Sequence, residues 1–205
     1  MGNSPASAHS WLPMVLQVDG IPVRLAATVL FHVPTASKIR GSEPLDAYHT
    51  SVVIGEVEYS FGGDGVRATR PVMTHSALQK PTDVHDLGMT RIHPHSMLGF
   101  LPSFFEAGTY DLLCKNCNSF SDCVIYLLLG QRLEDRFKRL EKMARHGQKR
   151  FKLMSALKMI GMKYSANPKS QSFEVNHIID LIDQVTGNQQ DMSWQDERRC
   201  AACCC

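Results

Sequence analysis

The sequence predicts an α+β fold, with strands in the first half of the chain and helices in the second. Two observations carry this: short β-rich runs bounded by turn residues fill the region up to Met89, and from Phe120 onward apolar residues recur at three- and four-residue spacing. With 205 residues, 43% of them hydrophobic and 20% charged, the chain is long enough for one real core plus an appendage.

Residues 1–14 are expected to be a flexible N-terminus. VLQVDGIPVRLAATVLFHV, from Val15 to Val33, reads as one or two strands with Asp19-Gly20 as a turn between them. TASKIRGSEPLDA is loop-like. In YHTSVVIGEVEYSFGGDGV, the runs Thr50–Ile54 and Val57–Phe61 flank a tight turn at Gly55-Glu56, which predicts a hairpin closing on Gly62, Gly63 and Gly65. A short strand is expected over Val84–Met89. HPHSMLGFLPSFFEAGTY predicts a helix broken at Pro102 and stopped by Gly108. The spacing of Phe120, Val124, Leu127 and Leu128 predicts a buried helix that begins at or near Cys117 and ends at Gly130. Three further helices are expected in LEDRFKRLEKMARH, RFKLMSALKMIGMKYS and FEVNHIIDLIDQVTG, with Asn167-Pro168 separating the last two. The final stretch, NQQDMSWQDERRCAACCC, has no periodicity. The organisation is therefore a domain over 15–146, a helical extension over 147–187 and a flexible Cys-rich tail over 188–205.

Composition excludes several function classes. The formal net charge is +2 and no arginine-rich block is interleaved with aromatics, so nothing indicates nucleic acid as a partner. No apolar stretch approaches the roughly 20 residues that span a bilayer. The N-terminus lacks the basic start and continuous apolar run of a secretory signal, so the cysteines are read as reduced thiols of a cytoplasmic protein. Seven cysteines fall in two groups: Cys114, Cys117 and Cys123 in mid-chain, and Cys200, Cys203, Cys204 and Cys205 at the end. A disulfide framework would spread them along the chain.

Cys117 is the candidate nucleophile, because a thiol at a helix N-terminus meets exposed N–H groups and partial positive charge that favour its thiolate. Its own N–H, or the side-chain amide of Asn116 or Asn118, would serve an oxyanion hole. The base must come from elsewhere. Among nine histidines, His49 stands where a loop enters a strand, which fixes an imidazole well; its alternative is a half-buried residue bonded to the backbone. His93 and His95 flank Pro94 in a polar turn, His146 is near a helix end, and His177 lies within the last helix. Cys114 and Cys117 also form a CxxC, which admits a redox pair or half a zinc site. Zinc would need a second pair at similar spacing, for which His93 and His95 give an irregular set and the C-terminal cysteines lie on the tail, and Cys114 continues the apolar run YDLLC as a small buried residue. Cys123 is read as core. No metal or cofactor is expected.

The segments DAYHTSVVIGEVEYSFGGDGV and YDLLCKNCNSFSDCV resemble the two signature blocks of the PPPDE family of deSUMOylating isopeptidases, which have a circularly permuted papain-like cysteine peptidase fold. The resemblance covers roughly Val15 to Met143. It implies that His49 and Cys117 form a Cys-His dyad, and that the chain cleaves isopeptide or peptide bonds, removing a ubiquitin-like modifier such as SUMO or ubiquitin. The exit QRLEDRFKRL after Gly130 departs from the family pattern, with a consequence expected for substrate access. The same dyad would also suit an S-acyl thioesterase acting on acylated proteins, and a fold retained without catalysis would suit an adaptor. Gly2, followed by small residues, loosely fits a myristoylation signal, and the tail cysteines Cys200, Cys203, Cys204 and Cys205 suit S-acylation or prenylation. Two such groups would anchor the protein peripherally to a cytosolic membrane face.

Overall fold

The apolar run after the N-terminus folds as one long strand, β1 (Gln17–Val33), in a computed structural model that describes residues 17–33, 45–145 and 147–187. Asp19-Gly20 does not reverse the chain. Residues on both sides of it pair with the same neighbour, Gln17 with Ile92 and Ile21 with Thr90, so the turn signal is absorbed as a register shift. The other strands are β2 (Leu45–Ile54), β3 (Val57–Gly62), β4 (Gly65–Thr69) and β5 (Thr82–Ile92). They form one antiparallel sheet in the order β4-β3-β2-β1-β5. The expected hairpin is present, with Ile54 opposite Val57 and Gly55 at φ 59°, a left-handed turn position that suits glycine. A second hairpin follows through Gly63 and Asp64 into β4, which the sequence reading leaves as turn and polar passage.

The helices are α1 (Met73–Ser76), α2 (Pro94–Phe100), α3 (Cys117–Leu129), α4 (Arg139–Ala144), α5 (Gly147–Met159) and α6 (175–187). Pro102 falls in a 3-10 turn after α2, as the break in the pattern predicts. Asn116 caps α3, its side-chain oxygen accepting the Ser119 N–H at 3.0 Å, and Gly130 closes it at φ 65° with its N–H on Tyr126 O.

α3 is buried along nearly its whole length. It lies against the sheet face that carries Val52, Ile54 and Phe61, and Phe120 and Val124 join this core. Ile178, Ile179 and Ile182 of α6 belong to the same cluster, whereas Leu153 and Leu157 of α5 join Leu113, Leu140 and Ala144 in a second one. The helical extension is thus folded onto both cores. The unusual exit from α3 has a structural role. Asp122, 1% exposed, accepts from Arg132 at 2.8 and 3.1 Å, from Lys138 at 3.0 Å and from the Leu133 N–H at 2.7 Å. Burial alone would raise this carboxyl; the Arg132 and Lys138 bonds hold it below its ordinary value.

Candidate active site

β2 presents different chemistry on its two faces. Thr50 points toward α3, its hydroxyl donating to Asn118 Oδ1 at 2.9 Å and lying 3.0 Å from Ser121 Oγ. By the period of two, His49 and Ser51 face the other way, toward α1. There His49 Nε2 meets Thr74 Oγ1 at 2.9 Å, and its ring lies 4.5 Å from that of His75. The chain enters α1 through Val72 at φ 60°, a left-handed conformation costly for a β-branched residue, which sets Thr74 and His75 over the sheet.

Cys117, the first residue of α3, is 2% exposed. Over residues 48–50, β2 pairs among the described residues only with β1, and the sulfur sits at the opposite edge. Its neighbours are the carbonyl of Tyr48 at 3.9 Å, Oδ1 of Asn118 at 3.8 Å and the hydroxyl of Tyr110 at 3.9 Å, with the Thr50 N–H also directed at it. Cys117 is therefore held against the backbone on both sides of His49, while the His49 ring is engaged by Thr74. Among the described residues, no imidazole is hydrogen-bonded to the sulfur. Burial pushes the thiol up to about 11, against the Thr50 and Asn118 N–H groups and the Tyr110 hydroxyl, which favour thiolate. Burial also lowers the His49 ring below its ordinary value, with the Glu58 carboxylate opposing. Both shifts favour the neutral side chains.

The amides of Asn116 and Asn118 are already committed. Asn116 Nδ2 donates to Leu112 O at 2.8 Å and to Glu141 Oε1 at 2.5 Å; Asn118 Nδ2 donates to Phe137 O at 3.0 Å and to the same Glu141 oxygen at 2.8 Å. Each NH₂ has only two protons, so neither side chain has a donor left for an oxyanion. This corrects the oxyanion expectation for the side chains: the two residues brace Cys117 from α4, and the first-turn donor that remains is the Cys117 N–H, since Asn116 Oδ1 takes the Ser119 N–H and the Asn118 N–H is directed at the sulfur.

A family model described as the PPPDE putative peptidase domain matches residues 26–157. The chain belongs to the PPPDE family. Desumoylating isopeptidase 1 of Xenopus laevis is 32% identical to it over 90 residues, which is 42% of this chain and 52% of that protein. The proteins of the same name from Rattus norvegicus and Homo sapiens are each 33% identical over 90 residues. The chain spans about half the length of these curated relatives. The mixed α/β architecture with an antiparallel sheet agrees with the papain-like class of fold expected for a PPPDE domain.

Around this PPPDE site lie residues that the sequence reading missed. Tyr110 stands seven residues before Cys117, in the same quoted block, and its ring packs 5.5 Å from Phe61. Glu58, His75 and Glu141 are buried, and only a charged residue in the apolar strand VEYSFG marks one of them in the sequence. Cys114 and Cys123 are free thiols, and no group of three metal-ligating side chains occurs among the described residues. Nor is any helix among the described residues long and apolar enough to cross a membrane. Gly2, His146, Cys200, Cys203, Cys204 and Cys205 lie outside the described residues.

His75 is expected to make the PPPDE domain acid-sensitive. Its Nδ1 meets Thr28 Oγ1 at 2.8 Å and its Nε2 meets Ser51 Oγ at 2.9 Å, all unexposed or nearly so. Burial first, and His49 beside it second, lower His75 to about 4, against the pull of Glu58. A folded-state value below the unfolded one means stability fully present above about pH 6.5 and lost as pH falls through about 4. The shift corresponds to on the order of 3 kcal/mol. Urea unfolding near pH 7 and near pH 4 should show wild type losing this much more than His75→Gln; equal losses would rule it out.

Proposed function

We propose that the chain is a cysteine hydrolase that cleaves isopeptide or peptide bonds, removing a ubiquitin-like modifier, SUMO or ubiquitin, from proteins. Cys117 is the nucleophile and His49 its general base. The observation that carries this reading is a thiol at the start of a buried helix, seated on the strand backbone that flanks His49. Membership of the family supports it, as do relatives named for desumoylation.

The chemistry follows from these groups. His49 takes the proton from Cys117 as sulfur attacks the carbonyl carbon, and the Cys117 N–H at the start of α3 holds the resulting oxyanion. The imidazolium then gives its proton to the leaving amine, which departs and leaves a thioester on Cys117. Water, deprotonated by His49, attacks the thioester; collapse frees the modifier carboxylate and returns the thiol. Incubating the full chain with SUMO conjugates, ubiquitin conjugates and an S-acylated peptide, each beside Cys117→Ser, tests the reading. Modifier release by wild type alone is expected. Cleavage confined to the S-acylated peptide would replace the isopeptidase reading with a thioesterase, and no cleavage of any substrate would favour an adaptor.

A further inference from the structure

The far nitrogen of the His49 ring leads, through one hydroxyl, to a buried carboxylate. Glu58 of β3 is 0% exposed. Its Oε2 accepts the Thr74 N–H at 3.2 Å and the Thr69 hydroxyl at 3.3 Å, and its Oε1 accepts the Thr74 hydroxyl. The Thr74 N–H and the Thr74 hydroxyl both donate to this carboxylate, so toward Thr74 it acts only as an acceptor. A threonine hydroxyl carries one proton, and Thr74 gives it to Glu58. Thr74 Oγ1 can therefore meet His49 Nε2, 2.9 Å away, only as an acceptor, so Nε2 must carry the ring proton.

We infer that Thr74 and Glu58 are the positioning residues of His49, fixing its Nε2–H tautomer and leaving Nδ1 as the nitrogen that takes the Cys117 proton. The inference rests on the proposed roles of Cys117 and His49 and supplies the member that orients the base. The hydroxyl between the two transmits direction while keeping the carboxylate out of direct contact with the ring, so the base stays neutral until it accepts a proton. Once charged, the ring has a fixed anion waiting two hydrogen bonds away. The groups that face His49 are Thr74 and His75 from α1 and Glu58 from β3, while Cys117 of α3 lies against the neighbouring strand backbone at the Tyr48 carbonyl. His75 cannot substitute for Thr74, because both of its nitrogens are engaged by Thr28 and Ser51.

The test uses the full chain with nitrogen-15-labelled histidine, assigning His49 by its absence from the His49→Gln spectrum. Ring shifts near pH 7 should report the Nε2–H tautomer. Thr74→Val should shift the population toward Nδ1–H and slow Cys117 alkylation by iodoacetamide by about 10- to 100-fold. Thr74→Ser, which keeps the hydroxyl, should restore both readouts. Glu58→Gln should move the acid limb of the alkylation profile to lower pH, since the imidazolium loses its anion. A wild-type ring in the Nδ1–H form overturns the inference whether or not the variants fold. An unchanged tautomer and rate in folded Thr74→Val also overturns it, even where Cys117 and His49 prove essential. A Thr74-dependent tautomer in a chain that cleaves no conjugate would uphold the orienting role and remove only the proposed reaction.

Discussion

Cys117→Ala is expected to abolish cleavage of every conjugate the chain turns over, a fall on the order of 10⁴ or more in kcat/KM. No other described thiol can take over: Cys123 is fully buried within α3, with burial raising it further, and Cys114 precedes the helix. The pH profile separates a neutral dyad from a preformed ion pair. A base must be unprotonated to act, so activity is absent while His49 carries its proton and rises with pH through its folded value. Burial places that value below 6.5, so the acid limb should lie there and the rate should be flat through neutrality. The thiol, pushed up to about 11, gives up its proton during attack rather than before it. Initial rates across pH 4 to 9 on wild type, with Cys117→Ala as the blank, check both points. An acid limb above pH 7, or residual turnover in the alanine variant, would contradict this assignment.

The second large effect is on stability, at Glu141→Ala. Glu141 is 6% exposed, and one of its oxygens takes an N–H from each asparagine beside Cys117. Removing it deletes two hydrogen bonds to a buried carboxylate and leaves two buried N–H donors without a partner. The expected cost is about 3–5 kcal/mol. Glu141→Gln separates shape from charge. Its carbonyl can accept both amides, but its NH₂ takes the place of the carboxylate's other oxygen, which is buried and without a partner among the described residues, and brings donors with nothing to accept them. That variant should therefore be destabilised by about 1–3 kcal/mol, less than Glu141→Ala. Urea unfolding at pH 7 measures both. A Glu141→Ala cost under about 1 kcal/mol would show that the asparagines find other acceptors and that the brace on Cys117 is not what the geometry implies.

The parts of this architecture that local chemistry specifies are legible in the sequence. The hairpin at Gly55-Glu56 and the helix running from Asn116 to Gly130 each carry their own turn or cap residue, and both are found where expected. Strand β4 is not legible, because GVRAT exposes Arg67 and Ala68 and pairs only with β3, so no apolar alternation marks it. Position 58 misleads in the opposite way: Val57 is 36% exposed while Glu58 is wholly buried, the reverse of their hydropathies. The environment of His49 is built from separations of 16 residues for Thr74 to Glu58, 25 for His49 to Thr74 and 47 for Thr28 to His75. Such contacts depend on how the sheet face is covered by α1, which no local pattern encodes. Asn116 and Asn118 show the limit from the other side. Their position beside the thiol is readable, but whether their amides are spare or spent depends on Glu141, more than twenty residues away in sequence.

The most direct test of the central claim is covalent capture. Full chain, wild type and His49→Ala, is exposed to an electrophile attached to the C-terminus of a ubiquitin-like modifier, and the adduct is located by peptide mass spectrometry. Activation of the thiol by the imidazole predicts an adduct on Cys117 in wild type and none in His49→Ala at the same exposure. Equal labelling of Cys117 in both proteins, or an adduct on another cysteine, would contradict it.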